Sequence, residues 1–144
     1  MATNLQLLVG RLLLALIFIV SGLAKLADPG TLDNAWSTAG MIAGKGLPMP
    51  VVLAYLAGLL EFVGGLAVLV GFQTRIASWL LAAFTVVAGV LFHTGATGDA
   101  GMDLINQIML MKNLAIAGGF LALASHGAGA WSLDARRTGK LATA

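Results

Sequence analysis

The sequence predicts an all-α integral membrane protein: a four-helix bundle over residues 1–144, a single domain, with both N and C termini cytoplasmic. Three observations point there. Hydrophobic residues make up 59% of the chain and charged residues 10%, where a soluble domain carries about 25% charged residues; the mean hydropathy is +0.95. The apolar residues gather in runs of ~20, the length an α-helix rising ~1.5 Å per residue needs to cross ~30 Å of hydrocarbon. Lys and Arg are spread unevenly over the segments between those runs, which sets orientation.

The first span is predicted over residues 5–27, where Asp28-Pro29-Gly30 stops it. A rival reading makes this segment a cleaved signal peptide, with Gly22-Leu23-Ala24 as a permissive cleavage site. Against it, cleavage would remove Arg11, the expected partner of Glu61. Residues 31–46 hold Trp36 and Met41 among polar residues. They are too short and too polar to cross, and are expected as an interfacial half-helix.

The second span is predicted over residues 49–70, entered at Pro48 and Pro50 and ended by Gly71. The short turn Gly71-Phe72-Gln73-Thr74 makes the second and third helices antiparallel neighbours. The third span covers residues 75–92, a loop runs from His93 to Asp103, and the fourth span covers residues 104–124.

Arg75 in the second connection and Arg136, Arg137 and Lys140 in the tail are expected inside. The third connection carries Asp99 and Asp103 with no Lys or Arg, and the first carries Asp28 and Asp33 against Lys45, so both are expected outside. Trp79 and Trp131 then fall near inner helix ends and Trp36 near the outer surface, as an aromatic belt requires.

Composition excludes several kinds of chemistry. The chain has no cysteine, so it can form no disulfide, thiolate metal site or iron–sulfur ligation of its own. No basic stripe is interleaved with aromatic residues, which argues against nucleic acid as a partner. His93 and His126 are expected at opposite faces, which argues against a bis-histidine haem, and no His/carboxylate cluster has metal-ligand spacing. Gly64-Gly65 and Gly118-Gly119 lie inside apolar helices, where close packing explains them better than nucleotide binding. No intrinsic cofactor is evident.

Three ionisable residues fall inside the spans: Arg11, Glu61 and Lys112. Such a group at a helix centre costs ~2.5–3.5 kcal/mol on insertion scales. Counted from the inner helix ends, their depths are ~9, ~14 and ~18 Å, which lets them meet in the inner half of the bundle. Helical spacing places Arg11, Ala15, Phe18 and Gly22 on one face, with Lys25 a turn further on. It does the same for Ala54, Gly58, Glu61 and Gly65, and for Ile108, Lys112, Ala115 and Gly119. The small residues mark these as packing faces.

Two readings stay open: an ion-pair cluster that fixes helix register, or a polar pocket that binds a headgroup or carries protons. Lys25 and His93 near outer helix ends are read as snorkelling and helix-end groups, or as ligand contacts. Asn113 points about 100° from Lys112 and is read as interhelical glue, so the two need not serve one site.

The ordered set of features resembles the DoxX family of small four-helix bacterial inner-membrane proteins. The matching residues are Arg11, Ser21-Gly22-Leu23-Ala24-Lys25-Leu26, Gly46-Leu47-Pro48, Leu60-Glu61-Phe62-Val63-Gly64-Gly65, Gly71 with Thr74-Arg75, and His93. They continue through Lys112-Asn113-Leu114-Ala115, Gly118-Gly119 and Trp131-Ser132-Leu133-Asp134. The resemblance implies a multi-pass inner-membrane protein that keeps its first helix. It marks Arg11, Lys25, Glu61, His93, Lys112 and Asn113 as candidate ligand-binding positions without a defined role for each.

Through relatives linked to thiosulfate:quinone oxidoreduction and redox stress, the resemblance also implies a quinone-linked redox membrane subunit, with a quinone as ligand and a protein partner supplying electrons. Two other readings stand beside it: a membrane anchor or assembly factor, and a small transporter or lipid-binding protein. A homo-oligomer in the bilayer is compatible with each.

Overall fold

A computed structural model describes residues 2–137. Lys140, expected in the basic tail, lies outside these residues. All regular structure among them is helical: α1 (Ala2–Ala27), α2 (Thr38–Gly44), α3 (Pro50–Val70), α4 (Thr74–His93), α5 (Ala100–His126) and α6 (Leu133–Arg137). Four of these helices, α1, α3, α4 and α5, are long and apolar enough to cross a membrane. The expected spans are therefore present, each within a few residues of its predicted ends except the start of α5.

The ends have local causes. Ser37 caps α2, its Oγ accepting from the Gly40 N–H at 3.0 Å. Pro50 opens α3, where its missing N–H leaves no helical bond unmade. Gly71 closes α3 at φ 70°, with Gly71 N donating to Val68 O and Phe72 N to Ala67 O, a Schellman stop. No other residue fits there: a Cβ on Gly71 would lie 2.4 Å from Ser132 Cβ. Asp99 starts α5 a turn earlier than predicted, its carboxylate accepting from Met102 N at 2.8 Å. The predicted interfacial half-helix is the seven-residue α2.

Helix α1 packs chiefly on α3, and α4 on α5; α3–α4 and α1–α5 contacts join the two pairs. The core holds Ala15, Phe18, Val68, Leu81, Ala117, Phe120 and Leu123. Phe18 and Phe120 meet edge to face, ring centroids 5.1 Å apart. A smaller apolar cluster of Ala39, Ile42 and Ala54, with Leu47, Leu53 and Phe92 against it, seats α2 across one end of the bundle. The start of α1 meets the segment after α5 at the other end, where Ala130 N donates to Asn4 Oδ1 at 3.1 Å.

The faces predicted for α1 and α3 are the buried ones: Arg11, Ala15 and Phe18 on α1, and Ala54, Gly58, Glu61 and Gly65 on α3. The face predicted for α5 is not. Ile108 is 53% exposed, and Lys112 and Ala115 are exposed, while Ala117, Phe120, Leu123 and Ala124 are buried. The cause is that α5 is apolar on most sides, so small residues alone do not mark its inner face. The large ring of Phe120 does, by filling the space beside Phe18.

Candidate functional site

Close approach of α1 and α3 sets up the site. A Cβ on Gly22 would sit 2.5 Å from Phe62 N and 2.7 Å from Gly58 O, so the two backbones touch where both helices carry glycine. One turn beyond Gly22 lies Lys25, and three residues beyond Gly58 lies Glu61. The glycine contact therefore brings Lys25 Nζ to 2.8 Å from Glu61 Oε2. Ser21, one turn back on α1, accepts from the same ammonium at 2.5 Å. Glu61 is 6% exposed. Separating such ions would be costly at this depth, and pairing with an added hydroxyl offsets the desolvation of both.

This pair forms part of the wall of a cavity of about 380 Å³ between α1, α3, α4 and α5, closed at the α2 end by Thr38, Met41 and Ile42. The remaining wall is largely apolar, with Phe18, Phe84 and Phe92 among its residues. Thr85 adds little polarity, since its hydroxyl is spent on Leu81 O at 2.6 Å. From α4 comes His93, its Nδ1 3.3 Å from Asn106 Oδ1. Helix α5 brings Lys112 and Asn113. Lys112 Nζ reaches the Met109 sulfur at 3.0 Å, and Asn113 packs over Gly89, where a Cβ would lie 3.0 Å from its own.

Five of the six sequence candidates thus line one cavity: Lys25, Glu61, His93, Lys112 and Asn113. One expectation is corrected: Glu61 pairs with Lys25 rather than Arg11, and of the two readings of Lys25 the inward one applies. Lys112 shares the cavity with Glu61 but forms no ion pair with it. Lys112 and Asn113, although adjacent in sequence, both reach the cavity wall.

Arg11 stands apart, about 14 residues or ~21 Å along α1 from Lys25. It is 2% exposed and donates from Nη1 to Ala128 O (2.6 Å) and Trp131 O (3.0 Å), and from Nη2 to Leu69 O (3.0 Å). These carbonyls lie in the last turn of α3 and in the segment after α5, so Arg11 satisfies backbone acceptors that a helix end leaves open. Beside it, Asp134 accepts from Gln73 N (2.8 Å) and Thr74 N (2.9 Å), capping α4 from a distant segment. Its carboxyl stands below its ordinary pKa. Burial opposes that shift, but N–H and hydroxyl groups of Thr74, the Gln73 N–H and the Arg137 charge outweigh it.

Sequence reasoning missed Ser21 as a partner, the α2 residues that close the cavity, and Asp134 as a cap. The first had a signal in the four-residue spacing of Ser21 and Lys25 on one helix. The other two depend on which segments meet in space.

Chemically, the cavity offers a mostly apolar chamber with a few polar groups in its wall, the composition of a small-molecule site. Its volume lies in the ~300–1,000 Å³ range of such sites.

Comparison with known proteins agrees with this architecture. The DoxX family model matches residues 6–94. The inner membrane protein YqjF of Escherichia coli is 40% identical over 127 residues, covering 88% of each chain. The inner membrane protein YphA of the same organism is 38% identical over 133 residues, covering 90% of this chain and 89% of the relative. An uncharacterized membrane protein of Mycobacterium tuberculosis is 34% identical over 139 residues, covering 93% of this chain and 82% of the relative. No solved structure matches.

Proposed function

The chain belongs to the DoxX family and is a multi-pass protein of the bacterial inner membrane, and on that premise we propose that it is the quinone-binding membrane subunit of a redox system. The observation that carries this reading is the Lys25–Glu61 pair, 2.8 Å apart, in the wall of a mostly apolar cavity at the depth of the bilayer. A quinone needs an apolar slot reached from lipid, hydrogen-bond donors for its carbonyl oxygens and a group that handles protons. The phenylalanines supply the slot, Lys25 or His93 the donor, and Glu61 the group that passes protons.

Reduction of a quinone to a quinol takes two electrons and two protons. Neither a cysteine nor a metal-ligating cluster is present among the described residues. On this reading the electrons come from a partner redox protein or a diffusible donor, the two protons come from water by way of Glu61, and the chain contributes the site. The arginines Arg75, Arg136 and Arg137 lie toward the end where Asn4 meets Ala130, and Asp99 and Asp103 at the other end. That asymmetry supports cytoplasmic termini.

Native mass spectrometry after gentle extraction tests the proposal, with Glu61→Gln alongside. A stoichiometric quinone on the native chain, lost or markedly depleted in Glu61→Gln at unchanged helicity, is the expected result. A chain bound only to another protein would instead favour the anchor reading. One observation speaks for that reading: Trp36, at 78% exposure, and Leu32, at 56%, stand free on the approach to α2.

A further inference from the structure

Lys112 is the group the ligand site leaves without an ionic partner. It stands ~18 Å along α5 from Ala100 and ~21 Å from His126, close to the middle of a 27-residue span. At that depth its side chain is too short to carry the ammonium to either water interface. The sole hydrogen-bond acceptor its Nζ meets among the described residues is the Met109 sulfur, a weak one. Glu61, the carboxylate in the same cavity wall, is already taken by Lys25 at 2.8 Å. The residues lining the cavity therefore carry two ammonium groups and one carboxylate, a formal excess of one positive charge, with Lys112 on the exposed rim. His93 and Asn113 face the same space and bring no negative charge.

We infer that the molecule held in the cavity is an anionic amphiphile, an apolar body bearing one negatively charged oxygen, with Lys112 as its counter-ion. The inference rests on the reading that the cavity holds a ligand, and specifies that ligand's charge: one ionised oxygen on an apolar body. Two sources share the chemistry: an ionised hydroxyl on a ring, as in a hydroxyquinone, and the carboxylate of an alkyl chain. Lys25 stays with Glu61 in either case, so the charge of the complex closes without opening the existing pair. The neutral walls grip the body of the molecule, and Lys112 selects the form of its head.

Calorimetric titration of the purified full chain in a non-ionic detergent tests this with two probe pairs. One pair is a hydroxynaphthoquinone, ionised at neutral pH, and its uncharged methyl ether. The other is dodecanoate and its uncharged methyl ester. The expected result is a preference for the anion of at least about tenfold in one pair, and the pair that shows it identifies the source. In Lys112→Gln the preference falls to about one while the uncharged probe binds within about twofold of the native chain. Lys112→Arg retains it.

Equal affinity for both members of each pair in the native chain would overturn the inference while leaving the ligand cavity standing. So would a preference that survives Lys112→Gln. Failure of all four probes to bind would remove the cavity reading itself, and the inference with it. Should Lys112→Gln not fold, the native-chain comparison decides alone.

Discussion

The two inward-facing cations of α1 do different work. Arg11 serves backbone carbonyls and Lys25 serves a carboxylate. Replacing Arg11 by Leu leaves the carbonyls of Leu69, Ala128 and Trp131 without that donor, at a loss on the order of 3 kcal/mol in stability. Arg11→Leu should lower the unfolding midpoint in detergent and leave ligand affinity, per folded molecule, unchanged. Glu61→Gln differs: ligand binding is lost, and stability also falls because Lys25 keeps its bond to Ser21 but loses its counter-charge. The sequence reveals Arg11, Glu61 and Lys112 as costly residues that need partners, and depth arithmetic allows Arg11 and Glu61 to meet. What overrides that arithmetic is the convergence of three unsatisfied carbonyls around Arg11, created by helix ends far apart in the chain. Lys25 was already on the correct stripe, and its role follows from the Gly22–Gly58 contact, which fixes the vertical register of α1 against α3.

Glycine contacts carry the arrangement of the helices, and they divide by what lies opposite. A side chain on Gly22 would strike the α3 backbone, so Gly22→Val should force α1 and α3 apart. The expected cost is several kcal/mol, roughly that of severe overpacking, with loss of the Lys25–Glu61 pair and of ligand binding. Gly118 has nothing within 4 Å of its would-be Cβ, and Gly118→Ala should be neutral or stabilising by up to ~1 kcal/mol. Thermal unfolding of the two variants side by side checks the contrast.

At the start of α4, Gln73 holds a left-handed φ of 46° while Asp134 receives its N–H and that of Thr74. Asp134→Ala should cost about 1 kcal/mol at neutral pH. The folded state holds this carboxyl below its ordinary 3.8, so its contribution is full above that value and lost as pH falls through the lower folded value. The midpoints of the native chain and Asp134→Ala should therefore converge in acid. The α1 and α3 faces were legible because glycine and alanine recur at helical spacing among bulkier residues. The α5 face was not, because its small residues lie on both its buried and its exposed sides. Helix α6, five residues long, carries no periodicity to read.

For the molecule as a whole, four crossings return the chain to its starting side, where contacts such as Asn4 with Ala130 join the start of α1 to the segment after α5. The native chain has no cysteine, so single cysteines report sidedness cleanly. Thr97→Cys, between α4 and α5, should react with an impermeant maleimide in cells whose outer membrane has been opened. Ala130→Cys should react only after the inner membrane is broken. The reverse pattern would invert the orientation. The four-span plan is visible in composition because lipid demands long apolar runs. The cavity is not, because it arises from α2 closing one end of a bundle whose walls are ordinary phenylalanines and leucines.

If a small molecule occupies this cavity, photolabelling in native membranes with an azido-quinone, followed by peptide mapping, should place adducts on wall residues such as Leu53, Phe84 and Phe92, competed by unlabelled quinone and suppressed in Glu61→Gln. Labelling spread over the exposed side chains of α1, such as Leu13, Leu16 and Val20, and unaffected by competitor or substitution, would contradict it.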